Sequence, residues 1–145
     1  MYDPEKKIYT LPITVEFEDV DSYRIVHNTR IVDYFERARV HFLTEVIGLD
    51  LYPKGTGIVL YSLDVRFTRP ARLLDTLDAR VFIHSLDDYR LNLGYKLFRR
   101  RELLARGGSG IAFMDARSGT LIPAPDAYIE KIRPYIRNSA PAIMV

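Results

Sequence analysis

One amphipathic segment stands alone among strands, and that imbalance limits the folds open to this chain. From Ile31, apolar residues recur at Tyr34, Phe35, Ala38, Phe42 and Val46, a single stripe at helical spacing, with Asp33, Arg37, His41 and Thr44 opposite. Asn28 or Thr29 can cap the start and Gly48 can end the run, which predicts a helix of about 18 residues. Before it, residues 13–20 alternate, with Ile13, Val15 and Phe17 on one side and Thr14, Glu16 and Glu18 on the other, the pattern of a half-buried strand.

After the linker LYPKGTG at 51–57 the alternation returns. Val59, Tyr61, Leu63, Val65 and Phe67 share one parity, and Pro70 stops that strand. Leu77, Ala79, Val81 and Ile83 repeat the pattern, Asp87-Asp88 marks a hairpin turn, and Leu91, Leu93, Tyr95 and Leu97 follow. A turn near Arg101-Glu102 leads into residues 103–114, where Gly107 and Gly108 predict a bulge or a close backbone approach. Pro123 and Pro125 stop a short extension, and residues 126–133 can form a terminal turn of helix. One helix cannot cover both faces of five strands. The expected architecture is therefore α+β: a long central helix wrapped by a curved five-stranded antiparallel sheet, in a single domain spanning residues 1–145. The outer face is left to solvent or a partner, and the free strand edges predict a homodimer.

Composition narrows the function. Hydrophobic residues make up 48% of the chain, enough for a core and too many for a disordered protein. Cysteine is absent, which excludes disulfides, thiolate metal sites and cysteine nucleophiles. The charge, 21 − 19 = +2, gives no basis for a nucleic-acid binder yet suits an anionic ligand. No apolar stretch is long enough to cross a bilayer, and the start MYDPEKK is charged, so no membrane insertion and a cytoplasmic location are expected. No GxGxxG, P-loop or GxSxG pattern occurs; Gly107-Gly108-Ser109-Gly110 falls inside a strand instead of opening a helix.

Chemistry concentrates between the first strand and the helix. That loop carries Glu18, Asp19, Asp21, His27 and Asn28 and delivers them to a helix N-terminus, whose free N–H groups can receive partial negative charge. A carboxylate there could act on a carbonyl carbon while the helix end stabilises the oxygen. Asp21 is the preferred acid, its alternative role being an Asx-type turn cap. Asp19 reads as structural, an acceptor of loop N–H bonds, and Glu18 as solvated. His27 is either a base or donor to substrate or a brace for the loop. His41 and His84 read as surface residues, and three scattered histidines without cysteine make no zinc site, so no metal is expected. Glu36 with Arg37 or Arg39 reads as surface pairing. Arg24 is a clamp for a substrate anion or a surface residue. Arg99 or Arg101, with Arg72 or Lys96, could meet the phosphates of a nucleotide-bearing thioester, the alternative being a solvated hairpin.

The stretch DVDSYRIVHNTRIVDYFERAR, followed by FTRPARLLDTL, resembles the 4-hydroxybenzoyl-CoA thioesterase family of hotdog-fold proteins. The resemblance implies an acyl-CoA thioesterase that cleaves short-chain or aromatic acyl-CoA thioesters to free acid and CoA, with no cofactor beyond the CoA of its substrate. It implies a homodimer that can pair into a tetramer, with active sites at the subunit interface. The second aspartate of the Asp-x-Asp pair, the family's catalytic acid, falls on Asp21; the backbone N–H that polarises the thioester carbonyl falls at Asn28; a loop-shaping aspartate falls on Asp75. Three features depart from the family pattern: Arg24 replaces a glycine, Val26-His27-Asn28-Thr29 stands where Val-Tyr-His-Ala is usual, and Arg30-Ile31 replaces Asn-Tyr. Two other classes fit the same residues. A hydratase or dehydratase could use Asp21 with His27 as acid and base, and a non-catalytic acyl-binding protein would account for the substituted turn.

Overall fold

The apolar stripe is helical as predicted, in a computed structural model that describes residues 1–51 and 55–137. Helix α1 spans Asn28–His41 and continues into a π turn at Phe42–Val46, with Gly48 at φ 80° just beyond. The cap differs from expectation: His27 is the N-cap residue, in extended conformation and without a side-chain cap bond, and Asn28 is the first helical residue. The strands are β1 (Tyr2–Asp3), β2 (Ile8–Thr14), β3 (Thr56–Phe67), β4 (Thr76–Leu86), β5 (Arg90–Arg99), β6 (Glu102–Asp115) and β7 (Leu121–Ile122), and a short helix α2 covers Asp126–Ile132. They form one antiparallel sheet in the order β1-β2-β4-β5-β6-β3, with β7 on β6. Among the described residues the sheet has seven strands against the five expected; the two extra ones, β1 and β7, are only two residues long. The connection read at 51–57 lies partly outside the described residues.

The first long strand sits earlier in the chain than its alternation suggested. Strand β2 ends at Thr14, and Phe17–Asp19 forms a 3₁₀ turn that leaves Phe17 82% exposed, not inward. The cause is Asp19, whose carboxylate accepts the Glu16 N–H at 2.9 Å and closes the turn. Pro12 argues against a strand over 8–14, yet it is tolerated there because β1 covers only Ile8 and Tyr9, leaving Pro12 on a free edge.

Ile31, Tyr34, Phe35, Ala38 and Phe42 are all at most 2% exposed, against strand residues that include Leu77, Ala79, Val81 and Ile83 at 0%. Phe35 stacks on Tyr95 with ring centroids 5.1 Å apart. The helix rests mainly on β4 and β2, and β3, at the far edge in the strand order, lies away from it. A bulge between Leu60 and Ser62 switches faces along β3: Leu63, Val65 and Phe67 pair with inward residues of β6, whereas Val59 pairs with Ala112 on the outer side. The uniform face expected for Val59 to Phe67 is therefore broken by one extra residue. Gly107 makes the close approach anticipated for it, since a Cβ there would lie 2.4 Å from the Asp64 carbonyl oxygen. His84, expected at the surface, is half-buried edge-on to Phe82, and burial followed by the Arg137 charge pushes its pKa down.

Candidate active site

The loop before α1 is a tight hairpin. Val20 bridges Val26, the Asp21 N–H donates to the Ile25 carbonyl at 2.9 Å, and the Arg24 N–H donates to the Asp21 carbonyl at 2.9 Å. The turn places Arg24 at φ 63°, a conformation suited to glycine. This explains physically why a glycine is usual there: only a residue without Cβ adopts that φ without steric cost. Arg24→Gly removes about 1–2 kcal/mol of left-handed strain and adds about 0.5–1 kcal/mol of glycine entropy cost. A net stabilisation of about 0.5–1 kcal/mol and a Tm higher by a few degrees are therefore expected. An unchanged or lower Tm in thermal denaturation would show that the arginine side chain outweighs its backbone strain.

Asp21 takes on the capping role and retains capacity for another. Its Oδ1 accepts the N–H groups of Tyr23 at 2.8 Å and Ile25 at 3.1 Å, as in an Asx turn. Its Oδ2 makes no hydrogen bond with a described residue, and the side chain is neither buried nor fully exposed. The hairpin docks on the chain that follows β3: the Val26 N–H donates to the Ala71 carbonyl, the Leu73 N–H donates to the Arg24 carbonyl, and Ile25 bridges Arg72. His27 follows the hairpin directly, and its carbonyl accepts the Arg30 and Ile31 amides. The amides of Asn28 and Thr29, the first two of the helix, have no intrahelical acceptor by construction. Both residues are exposed, as is His27.

Asp19 is the buried anchor beneath this loop, 2% exposed. Its Oδ2 accepts from Tyr34 Oη at 2.8 Å as well as from Glu16, Arg30 Nε lies 3.7 Å from Oδ1, and its carbonyl accepts the His27 N–H at 3.0 Å. Burial, and then the hydrogen bond to Asp19, drives the Tyr34 hydroxyl pKa far up, so it stays a donor. The sequence reading gives Tyr34 no such role. The available signal is a tyrosine on an otherwise apolar helical stripe, since a buried phenol needs a hydrogen-bond partner.

The candidate phosphate-binding residues separate into two groups. Arg24 and Arg72 lie on the two backbones that pair beside Asp21, both exposed. Arg99 donates to Asp75 at 2.6 Å, to Glu102 and to the Pro70 carbonyl, so its guanidinium is engaged. Those same bonds, the Asp75 one foremost, raise the Arg99 pKa, and Arg99 in turn lowers that of Glu102. Asp75 also accepts the Arg72 N–H at 2.9 Å and so shapes the loop between β3 and β4. Arg101 lines a surface cavity of about 910 Å³ with Arg100, Asp78 and Leu74. Lys96 is elsewhere, exposed on the outer face of β5. Arg39, read as a surface partner of Glu36 (3.8 Å), also reaches Tyr95 Oη at 3.3 Å, and Tyr95 Oη lies 2.6 Å from Ser109 Oγ. Among the described residues no group of three His, Asp or Glu side chains is placed to hold a metal, and no helix is long and apolar enough to cross a membrane.

A model of the thioesterase-like superfamily matches residues 15–132. No curated protein matches the chain. Among solved structures it is similar to a thioesterase from Thermus thermophilus complexed with coenzyme A and Zn, at 25% identity and a TM-score of 0.77, over 88% of this chain and 92% of that one. It is also similar to a 1,4-dihydroxy-2-naphthoyl-CoA thioesterase from Synechocystis, at 19% identity and a TM-score of 0.80, over 87% and 96% of the two chains. A protein of Pseudomonas aeruginosa aligns at 20% identity and a TM-score of 0.81, over 94% and 96%.

Proposed function

The chain belongs to the thioesterase-like superfamily and is a thioester hydrolase of the hotdog fold, and on that premise we propose that it hydrolyses a short-chain or aromatic acyl-CoA to the free acid and CoA. The observation that carries this reading is the pairing, within one loop, of a half-tethered carboxylate with an open helix end. Asp21 is held by the Tyr23 and Ile25 amides through one oxygen while the other makes no bond to a described residue. The acyl carbonyl oxygen would meet the Asn28 N–H, where the helix field favours developing negative charge. The free oxygen of Asp21 then attacks the carbonyl carbon, or takes a proton from the water that does. In both routes the C–S bond breaks, the thiolate leaves and is protonated, and water supplies the hydroxyl of the acid. His27 adjoins this point as the N-cap and orients the thioester or the water. Arg24 and Arg72, flanking the hairpin, would face the CoA phosphates.

The site belongs in this reading to a homodimer. Among the described residues strand β3 pairs only with β6, which leaves its other edge without a strand partner among them, and Leu60, Leu63 and Phe67 along it are 39–42% exposed. A second copy joining edge to edge would bury them. Light scattering at micromolar concentration should give twice the 16.8 kDa chain mass or a multiple of it; a monomeric mass would remove the interface from the mechanism. The activity is tested by thiol release from saturated aliphatic, hydroxylated and aromatic acyl-CoAs, with an enoyl-CoA in parallel. Release from a saturated substrate is expected. Hydration of the enoyl-CoA without it would indicate a hydratase, and tight binding without either would indicate a ligand carrier.

A further inference from the structure

The outer face of the sheet carries a row of cations that the chemistry above does not use. Arg80 on β4 pairs with Lys96 on β5, Lys96 with Arg106 on β6, and Arg106 with Arg66 on β3. Directly opposed residues of antiparallel strands project from the same face, so four positive side chains stand in line across four strands. Like charges opposed in this way are destabilising. Arg80 is partly accommodated over the Phe98 ring, 4.4 Å from its centroid. Lys96, Arg106 and Arg66 are exposed and form no ion pair with a described residue. The nearest acids on this face, Asp78 two residues before Arg80 and Asp64 two residues before Arg66, sit at opposite ends of the row and join no ion pair with it.

The geometry selects an elongated anion. Three interstrand steps of about 4.8 Å make the row about 14 Å long. An α-helix with acids at i, i+3, i+7 and i+10 presents its charges over about 15 Å, and can lie across the strands with each acid over one cation. The row is also close to the site along the chain: Arg66 is the penultimate residue of β3, and the segment after that strand holds the Asp21 hairpin through Ala71 and Leu73. We propose that this face docks an acidic helix of a small carrier protein, which delivers the acyl group as a thioester on its own prosthetic arm. This rests on the thioesterase reading and names the form in which the substrate arrives.

The test compares one acyl group presented on holo-acyl carrier protein and on CoA, using wild type and the double variant Arg66→Glu/Arg106→Glu, with carrier-protein binding measured separately by calorimetry. The expected result is a drop of at least about tenfold in kcat/KM and in affinity for the carrier protein, with kcat/KM on acyl-CoA unchanged and the wild-type carrier reaction weakened by salt. Equal losses on both substrates would assign the row to CoA phosphates and overturn the proposal. So would no change on either, or preferential binding of a DNA oligonucleotide over the carrier protein. If wild type cleaves neither thioester, the thioesterase reading has failed, and the calorimetric comparison still decides the docking face.

Discussion

Asp21→Asn is expected to fold like the wild type and to release thiol from acyl-CoA at least about 100-fold more slowly. The amide retains an Oδ1, so the acceptor for the Tyr23 and Ile25 N–H groups survives and the turn keeps its closure. What it loses is the charge and nucleophilicity of the second oxygen. The substitution therefore separates the two roles that compete for this residue. If Asp21 were a turn cap alone, the asparagine would be nearly silent in both stability and turnover. Thermal denaturation with steady-state thiol release distinguishes the cases, and wild-type turnover in the variant would take Asp21 out of the reaction. Asp21→Ala adds a control: it loses the cap as well, so stability should fall by about 1 kcal/mol on top of the same kinetic loss.

The largest loss of stability is expected from Asp19→Ala, about 3 kcal/mol, because it leaves the buried Tyr34 hydroxyl and the part-buried Glu16 amide without their acceptor. Against a total of about 5–15 kcal/mol for a domain, this corresponds to a Tm lower by about 6–12 °C. Tyr34→Phe should cost less, since Asp19 keeps the Glu16 amide and the nearby Arg30. The double variant should be more stable than the sum of the two single losses, because the second change removes the hydroxyl that the first left unpaired. Additive losses, or a Tm shift below about 2 °C for Asp19→Ala, would show that water replaces the carboxylate and that Asp19 does not anchor the loop.

The apolar spacing from Ile31 to Val46 made the helix readable, and the alternation in 77–83 and 91–97 did the same for the central strands. In both, burial follows directly from a repeat that the backbone geometry imposes. The same logic failed at residues 13–20 because a side-chain acceptor, Asp19, offered the backbone a turn that alternation cannot report. It failed again in 59–67, where one bulge residue switches the face of Val59 and Tyr61 relative to Leu63. The candidate site was legible as a loop rich in acids before a helix. Which oxygen of Asp21 is tied down was not, because that depends on amides within the turn whose directions only the folded hairpin sets.

Residue order alone established a long helix, the antiparallel strands around it and a carboxylate-bearing loop at the helix start, since each follows from periodicity or spacing over a few residues. Tertiary structure decided the rest. It committed Arg99 to Asp75 and Glu102, put Tyr34 beneath Asp19, set β3 last in the strand order of the described residues, and aligned Arg80, Lys96, Arg106 and Arg66 across four strands. The physical reason is range: periodicity constrains neighbours along one element, whereas strand register and the pairing of distant charges are fixed only when separate elements meet.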